Sequence, residues 1–190
     1  MSSSQEIFKK RNIKELATKI INECRKARQA GLQSAISRPV PIIENGKIKL
    51  TYLLYLSFIV RGEDGQMKQM QNEPFSAVSI DYETEKILSH KKLERKNPGK
   101  SSLKEYSLPD YFLSSDDPDK LWEELYSLYP AIIEAYASYK NGKQIDIDNS
   151  EIARFSQLFQ LSIQSYFKNH YYSLNPDFFV WLETFFKLEN

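Results

Sequence analysis

Between Gln5 and Ala30 the apolar positions Ile7, Ile13, Leu16, Ala17, Ile20, Ile21 and Cys24 recur at helical spacing, with Lys and Arg on the remaining faces. Gly31 stands where a helix C-terminus favours glycine, so one long basic amphipathic helix is predicted. Pro39 and Pro41 prevent that helix from continuing. Between the apolar stretches of Ile42 to Ile48 lies Asn45-Gly46, the pair favoured by type I′ turns, which predicts a hairpin. Ile48 to Val60 is too rich in Leu, Tyr, Ile and Phe for a strand with one wet face, so it reads as a central strand covered on both sides. It ends at the turn Gly62-Glu63-Asp64-Gly65. Met67 to Asn72 is polar and fits neither period. Phe75 to Asp81 and Ile87 to Leu93 flank Tyr82 to Lys86, a strand, tight turn and strand.

The second half changes pattern. Asp116-Asp117-Pro118-Asp119 supplies a cap, a proline for the first turn and acids for the N-terminus of a helix through Leu121, Leu125 and Leu128. Pro130 is expected to break or kink it, with the pattern resuming through Ile132, Ile133 and Tyr136 to Asn141-Gly142. A further helix begins at Asn149 or Ser150 and carries Ile152, Phe155, Phe159, Ile163, Tyr166 and His170 on one stripe. Asn175-Pro176-Asp177 caps a last helix, Phe178 to Phe186, apolar on most of its circumference. The expected fold class is therefore α+β: an N-terminal helix on an antiparallel meander of about four strands, followed by an aromatic-rich region of about three helices. Within the meander, Asp81-Tyr82-Glu83-Thr84-Glu85-Lys86-Ile87 resembles the Asp-x-x-Thr-Gly-Lys-Ile hairpin of PepSY-type and cystatin-like meanders. Glu85 stands where those turns carry glycine, and the resemblance covers one hairpin.

Charge divides the chain at the same place as hydropathy. Residues 1–104 carry 20 Lys+Arg against 11 Asp+Glu, and residues 105–190 carry 6 against 14, so a total of +1 hides halves of +9 and −8. Of the 25 aromatic residues, 19 fall in the second half. Asn97-Pro98-Gly99-Lys100-Ser101-Ser102 has exposed-loop composition and marks the boundary between a basic helix-plus-meander region, 1–104, and an acidic aromatic helical region, 105–190. Whether these share one core is left open. The single Cys24 forms no intrachain disulfide. There is no run of 18 apolar residues, and Met1-Ser2-Ser3-Ser4-Gln5-Glu6 lacks the charged start of a signal peptide, so a cytoplasmic chain with no membrane contact is expected. Six glycines and many Lys, Ile, Tyr and Asn point to an AT-rich, bacterial or phage source.

Three chemistries compete for these residues. A segment as apolar as the last helix either closes its own core or meets a partner. On the second reading Tyr171, Tyr172, Trp181 and Phe185 are the partner-binding residues, because Tyr and Trp dominate interface hot spots. Basic residues gather in two clusters, one including Arg25, Lys26 and Arg28, the other Lys91, Lys92, Arg95 and Lys96, and a merged face could bind nucleic-acid phosphates. The acidic half opposes that, as does the lack of aromatics among these lysines. Asp81 with Glu94-Arg95-Lys96 is similar to the Asp…Glu-x-Lys arrangement of restriction-endonuclease-like nucleases, which implies carboxylates holding a divalent metal, with Glu15 or Glu23 in support.

Asp146 to Glu151 has the acidic spacing of an EF-hand loop but lacks its central Gly, and Gln157 replaces the twelfth-position Glu. His90 and His170 have no nucleophile at catalytic spacing, and no phosphate-binding glycine loop or zinc spacing exists. No cofactor and no metal site are assigned. The expectation is a non-enzymatic protein acting by protein-protein recognition, either immunity- or inhibitor-like or an accessory subunit. Nucleic-acid binding through the basic half is the alternative, and a metal-dependent nuclease the third reading.

Overall fold

In the computed structural model, residues 32–71, 73–84, 86–94, 104–105, 112, 114–163 and 168–186 are described. The predicted N-terminal helix, with Arg25, Lys26 and Arg28, lies outside them, as do Arg95 and Lys96. The sheet is built around one strand, β3 (Lys47–Arg61), whose 15 residues take a partner on each side. On one side β1 (Leu32–Ile36) and β2 (Val40–Glu44) follow each other as a single broken row. On the other, β4 (Met67–Gln71) and β5 (Ser76–Asp81) form a second broken row. Beyond it β6 (Ile87–Lys92) pairs with β5 and β7 (Lys104–Glu105) with β4. Seven segments thus make four antiparallel rows, the meander expected from the hairpin pattern.

Local chemistry places the turns. Asn45 and Gly46 both have positive φ, 52° and 73°, as a type I′ turn requires. Asp81 Oδ1 accepts the amides of Glu83 and Thr84 and closes the β5–β6 turn. β3 is buried on both faces over its middle: Leu50, Tyr52 and Leu54 toward the helices, Thr51 and Leu53 away from them, with Thr51 Oγ1 hydrogen-bonded to Ser79 Oγ at 2.8 Å. β4, polar in sequence, is nevertheless a strand, because the edge of β3 supplies its backbone partners. β1 escapes the sequence pattern for the same reason.

Four helices follow: α1 (Pro118–Lys140), α2 (Asn149–Ser162), α3 (Lys168–Leu174) and α4 (Pro176–Phe186). Asp117 caps α1 ahead of Pro118, and Asp148 caps α2. Pro130 does not end its helix. α1 runs through it, since the lost hydrogen bond is offset where Tyr129, Ile132, Ile133 and Tyr136 are all buried around it. α2 stops at Ser162, so His170 belongs to α3 rather than to the stripe of α2.

One core joins Val40, Leu50, Tyr52, Val78 and Ile80 of the sheet to the apolar faces of α1, α2 and α4. Aromatic rings thread it: Tyr129 lies 4.9 Å from Phe155, Phe155 5.4 Å from Phe159, and Phe159 5.7 Å from Phe179. Asn175 fastens this layer to the sheet. Its Oδ1 accepts the Phe178 amide at the start of α4, while Nδ2 donates to the Pro41 carbonyl at 2.9 Å and to the Tyr136 hydroxyl. Glu124 and Arg154 join α1 to α2 through two hydrogen bonds.

The break in the first row has its own device. Between Ile36 and Val40 the row gains one residue relative to β3, and Ser37 Oγ accepts the Leu53 amide at 2.7 Å in place of a backbone carbonyl. Ser37→Ala is expected to strand that buried donor and cost about 1–3 kcal/mol, read from the denaturant midpoint, with Phe159→Ala costing about 3–5 kcal/mol on the same scale. An unchanged midpoint for Ser37→Ala would refute this account of the bulge. Arg154 holds the Glu124 carboxyl below its ordinary value of 4.5, so the pair stabilises above that pH and loses its effect as pH falls through the depressed value. Glu124→Gln should therefore flatten the acid limb of a stability-against-pH curve.

Candidate functional site

Two places in this fold combine exposed or unsatisfied chemistry with fixed geometry. The first is the outer edge of β6. All six of its residues are exposed, the helical layer stops short of it, and nothing among the described residues pairs with its outer side. The Leu93 amide bonds Phe75 O and the Lys86 carbonyl accepts from Asp81 N, so the alternation of an antiparallel ladder turns the Ser89 and Lys91 backbone groups toward β5. Those of His90 and Lys92 point outward. Ile87 and Leu88, each about half exposed, stand beside them. Lys86, Lys91 and Lys92 are exposed, and none belongs to an ion pair among the described residues.

The second place is Arg38, in the bulge between β1 and β2. The bulge sets it beside Tyr52 of β3 and turns it under the helices. Its Nη2 donates to the Ser162 carbonyl at the C-terminus of α2, 2.7 Å away, where a cation also suits the helix dipole. The guanidinium carbon sits 4.9 Å from the Trp122 ring centroid and 5.8 Å from that of Tyr171. The Arg38 amide donates to the Tyr171 hydroxyl at 3.1 Å. Burial works to lower the guanidinium pKa, the phenols of Tyr171, Tyr126, Tyr129 and Tyr55 work to raise it, and the balance is upward, so the group is a permanent cation. Nε is sealed from solvent with no acceptor among the described residues.

The aromatic residues singled out in the sequence all make contacts within the fold. Tyr171 and Trp181 are 3% exposed, Tyr171 holding the Arg38 amide and Trp181 packed 5.3 Å from Tyr136. Tyr172 and Phe185 are half-buried, ring to ring with Phe179 and Trp181. They belong to one ring cluster, and Val180 of the last helix is 63% exposed. Of the basic set, Lys91 and Lys92 are adjacent on β6.

Asp81 and Glu94 are not brought together. Asp81 ends β5, whereas Glu94 follows the Leu93–Phe75 contact at the other end of the ribbon, roughly 20 Å away at strand rise. The Asp81 carboxyl is lowered chiefly by the Thr84 amide it caps, a turn function. No group of three His, Cys, Asp or Glu that could hold a metal occurs among the described residues, and no helix among them is long and apolar enough to cross a membrane.

Sequence reasoning passed over Arg38. The signal was present in Pro39 and Pro41, two residues apart at the start of a strand, where missing amides mark an edge strand or bulge. The fold defines the class: an α+β protein, four antiparallel rows with a helical layer on one face. Compared with protein-family models, curated proteins and solved structures, the chain matches none.

Burial raises the phenol pKa of Tyr52 and of Tyr129, with Tyr126 adding to both. A raised phenol stabilises the fold below the ordinary value near 10, and that contribution is lost as pH climbs toward the folded value. On alkaline titration these two should ionise only as the far-UV circular dichroism collapses. Phenolate absorbance for all twelve tyrosines with intact dichroism would contradict this.

Proposed function

We propose that this chain is a non-enzymatic recognition protein, immunity- or inhibitor-like or an accessory subunit of a bacterial or phage complex, that binds another protein through the β6 edge. The observation that carries the reading is the state of that strand: exposed on both faces and unpaired outward among the described residues. An open edge offers backbone donors and acceptors to an added strand, with side chains setting specificity. Its charge selects the partner. Lys86, Lys91 and Lys92 favour an extended acidic segment, while a second copy paired on the same edge would set lysine against lysine.

The same lysines support a second reading, contact with nucleic-acid phosphates, carried by a surplus of nine basic charges in residues 1–104. The readings separate cleanly. His90→Pro removes an outward amide and leaves the ladder to β5 intact, so it should abolish strand addition and leave polyanion binding unchanged. Lys91→Glu with Lys92→Glu should weaken both. Immobilised wild-type and variant chains are compared for what they retain from lysate at low and moderate salt. A protein held by the wild type and lost with His90→Pro is the expected result. Equal retention by His90→Pro would overturn the edge as the binding surface, and nuclease-sensitive material that washes off with salt would move the function to phosphate contacts.

A further inference from the structure

We propose that Arg38 holds a small oxoanion, a phosphate or a carboxylate, in the wedge between the β1–β2 break and the ends of α2 and α3. The Arg38 side chain is largely withdrawn into the fold, with Nε sealed, yet no carboxylate answers its charge among the described residues. The groups facing it from β3, α1, α2 and α3 are phenols, one indole and one backbone carbonyl. Ring faces and a single carbonyl keep a cation in place, but they leave most of its five donors unused. Buried charge is costly when unpaired, and a guanidinium can only donate, so its complement must accept through more than one oxygen. A planar fork of N–H groups fits the paired oxygens of a phosphate or carboxylate.

Within the guanidinium, Nε is sealed from solvent without an acceptor. Nη1 likewise makes no hydrogen bond among the described residues but is not sealed from solvent, and Trp122, Tyr126 and Tyr55 around it are only half-buried. An anion can therefore reach the guanidinium from the surface. The Glu124–Arg154 pair on the same helices is closed on itself and does not compete.

The test follows the Nε–H resonance of Arg38 in the full wild-type chain by ¹H–¹⁵N spectroscopy during titration with inorganic phosphate, with acetate, and with chloride at matched ionic strength. A saturable shift with phosphate or with acetate, absent with chloride, is expected, and the stronger of the two names the oxoanion. Arg38→Gln should weaken that binding roughly ten- to hundred-fold. Because the wild-type titration stands alone, misfolding of Arg38→Gln would not rescue the proposal. A resonance that moves no more in phosphate and acetate than in chloride would overturn it.

Discussion

Every backbone partnership in the sheet traces to β3. Its 15 residues contact the first row on one side and the third on the other, and the outermost row is reached only through β4 and β5. A strand in that position cannot satisfy its own groups, so both flanking rows must form before β3 is stable in the interior. The helical layer depends on it in turn, because Leu50, Tyr52 and Leu54 supply much of the floor on which α1 and α2 rest.

Among the described residues, no ion pair joins the two halves. Each ion pair among the described residues stays within its half: Glu44 with Lys49 and Asp64 with Lys68 in the sheet, Asp117 with Lys120, Lys140 with Asp177 and Glu124 with Arg154 in the helices. What crosses is apolar surface, together with the hydrogen bonds of Arg38 to Ser162 and Tyr171 and of Asn175 to Pro41.

Features set by neighbours in sequence were legible. Asn45-Gly46 specifies its turn, and Asp117-Pro118 specifies a helix start, because backbone preference at two residues decides each. Features set by distant partners were not. β1 and β4 look unremarkable alone, and only the edges of β3 make them strands. Pro130 read as a stop because the burial around it, which holds the helix together, is tertiary. Arg38 was invisible as a site because Tyr171, the residue that fixes its backbone, lies 133 positions away. Trp181 and Tyr171 have the composition of an interface, and composition does not distinguish a surface anchor from a core one.

The breaks in the rows are staggered along β3, the first opposite Tyr52 and Leu53 and the third opposite Tyr55 and Leu56. The first row gains a residue, the third gains two between Gln71 and Ser76, and the fourth leaves its ladder after Leu93, beside Phe75. β5 runs unbroken past the first break and β1 past the third, so β3 keeps a partner on one side at each. The sheet is thus two smaller sheets that overlap on a shared spine at Leu54. β2, β5 and β6 form the half nearer the Asn45-Gly46 turn, and β1, β4 and β7 the half toward Gly62. Because the gaps are offset, no line of missing hydrogen bonds runs across the sheet, and bending at either gap must strain the intact ladder opposite it.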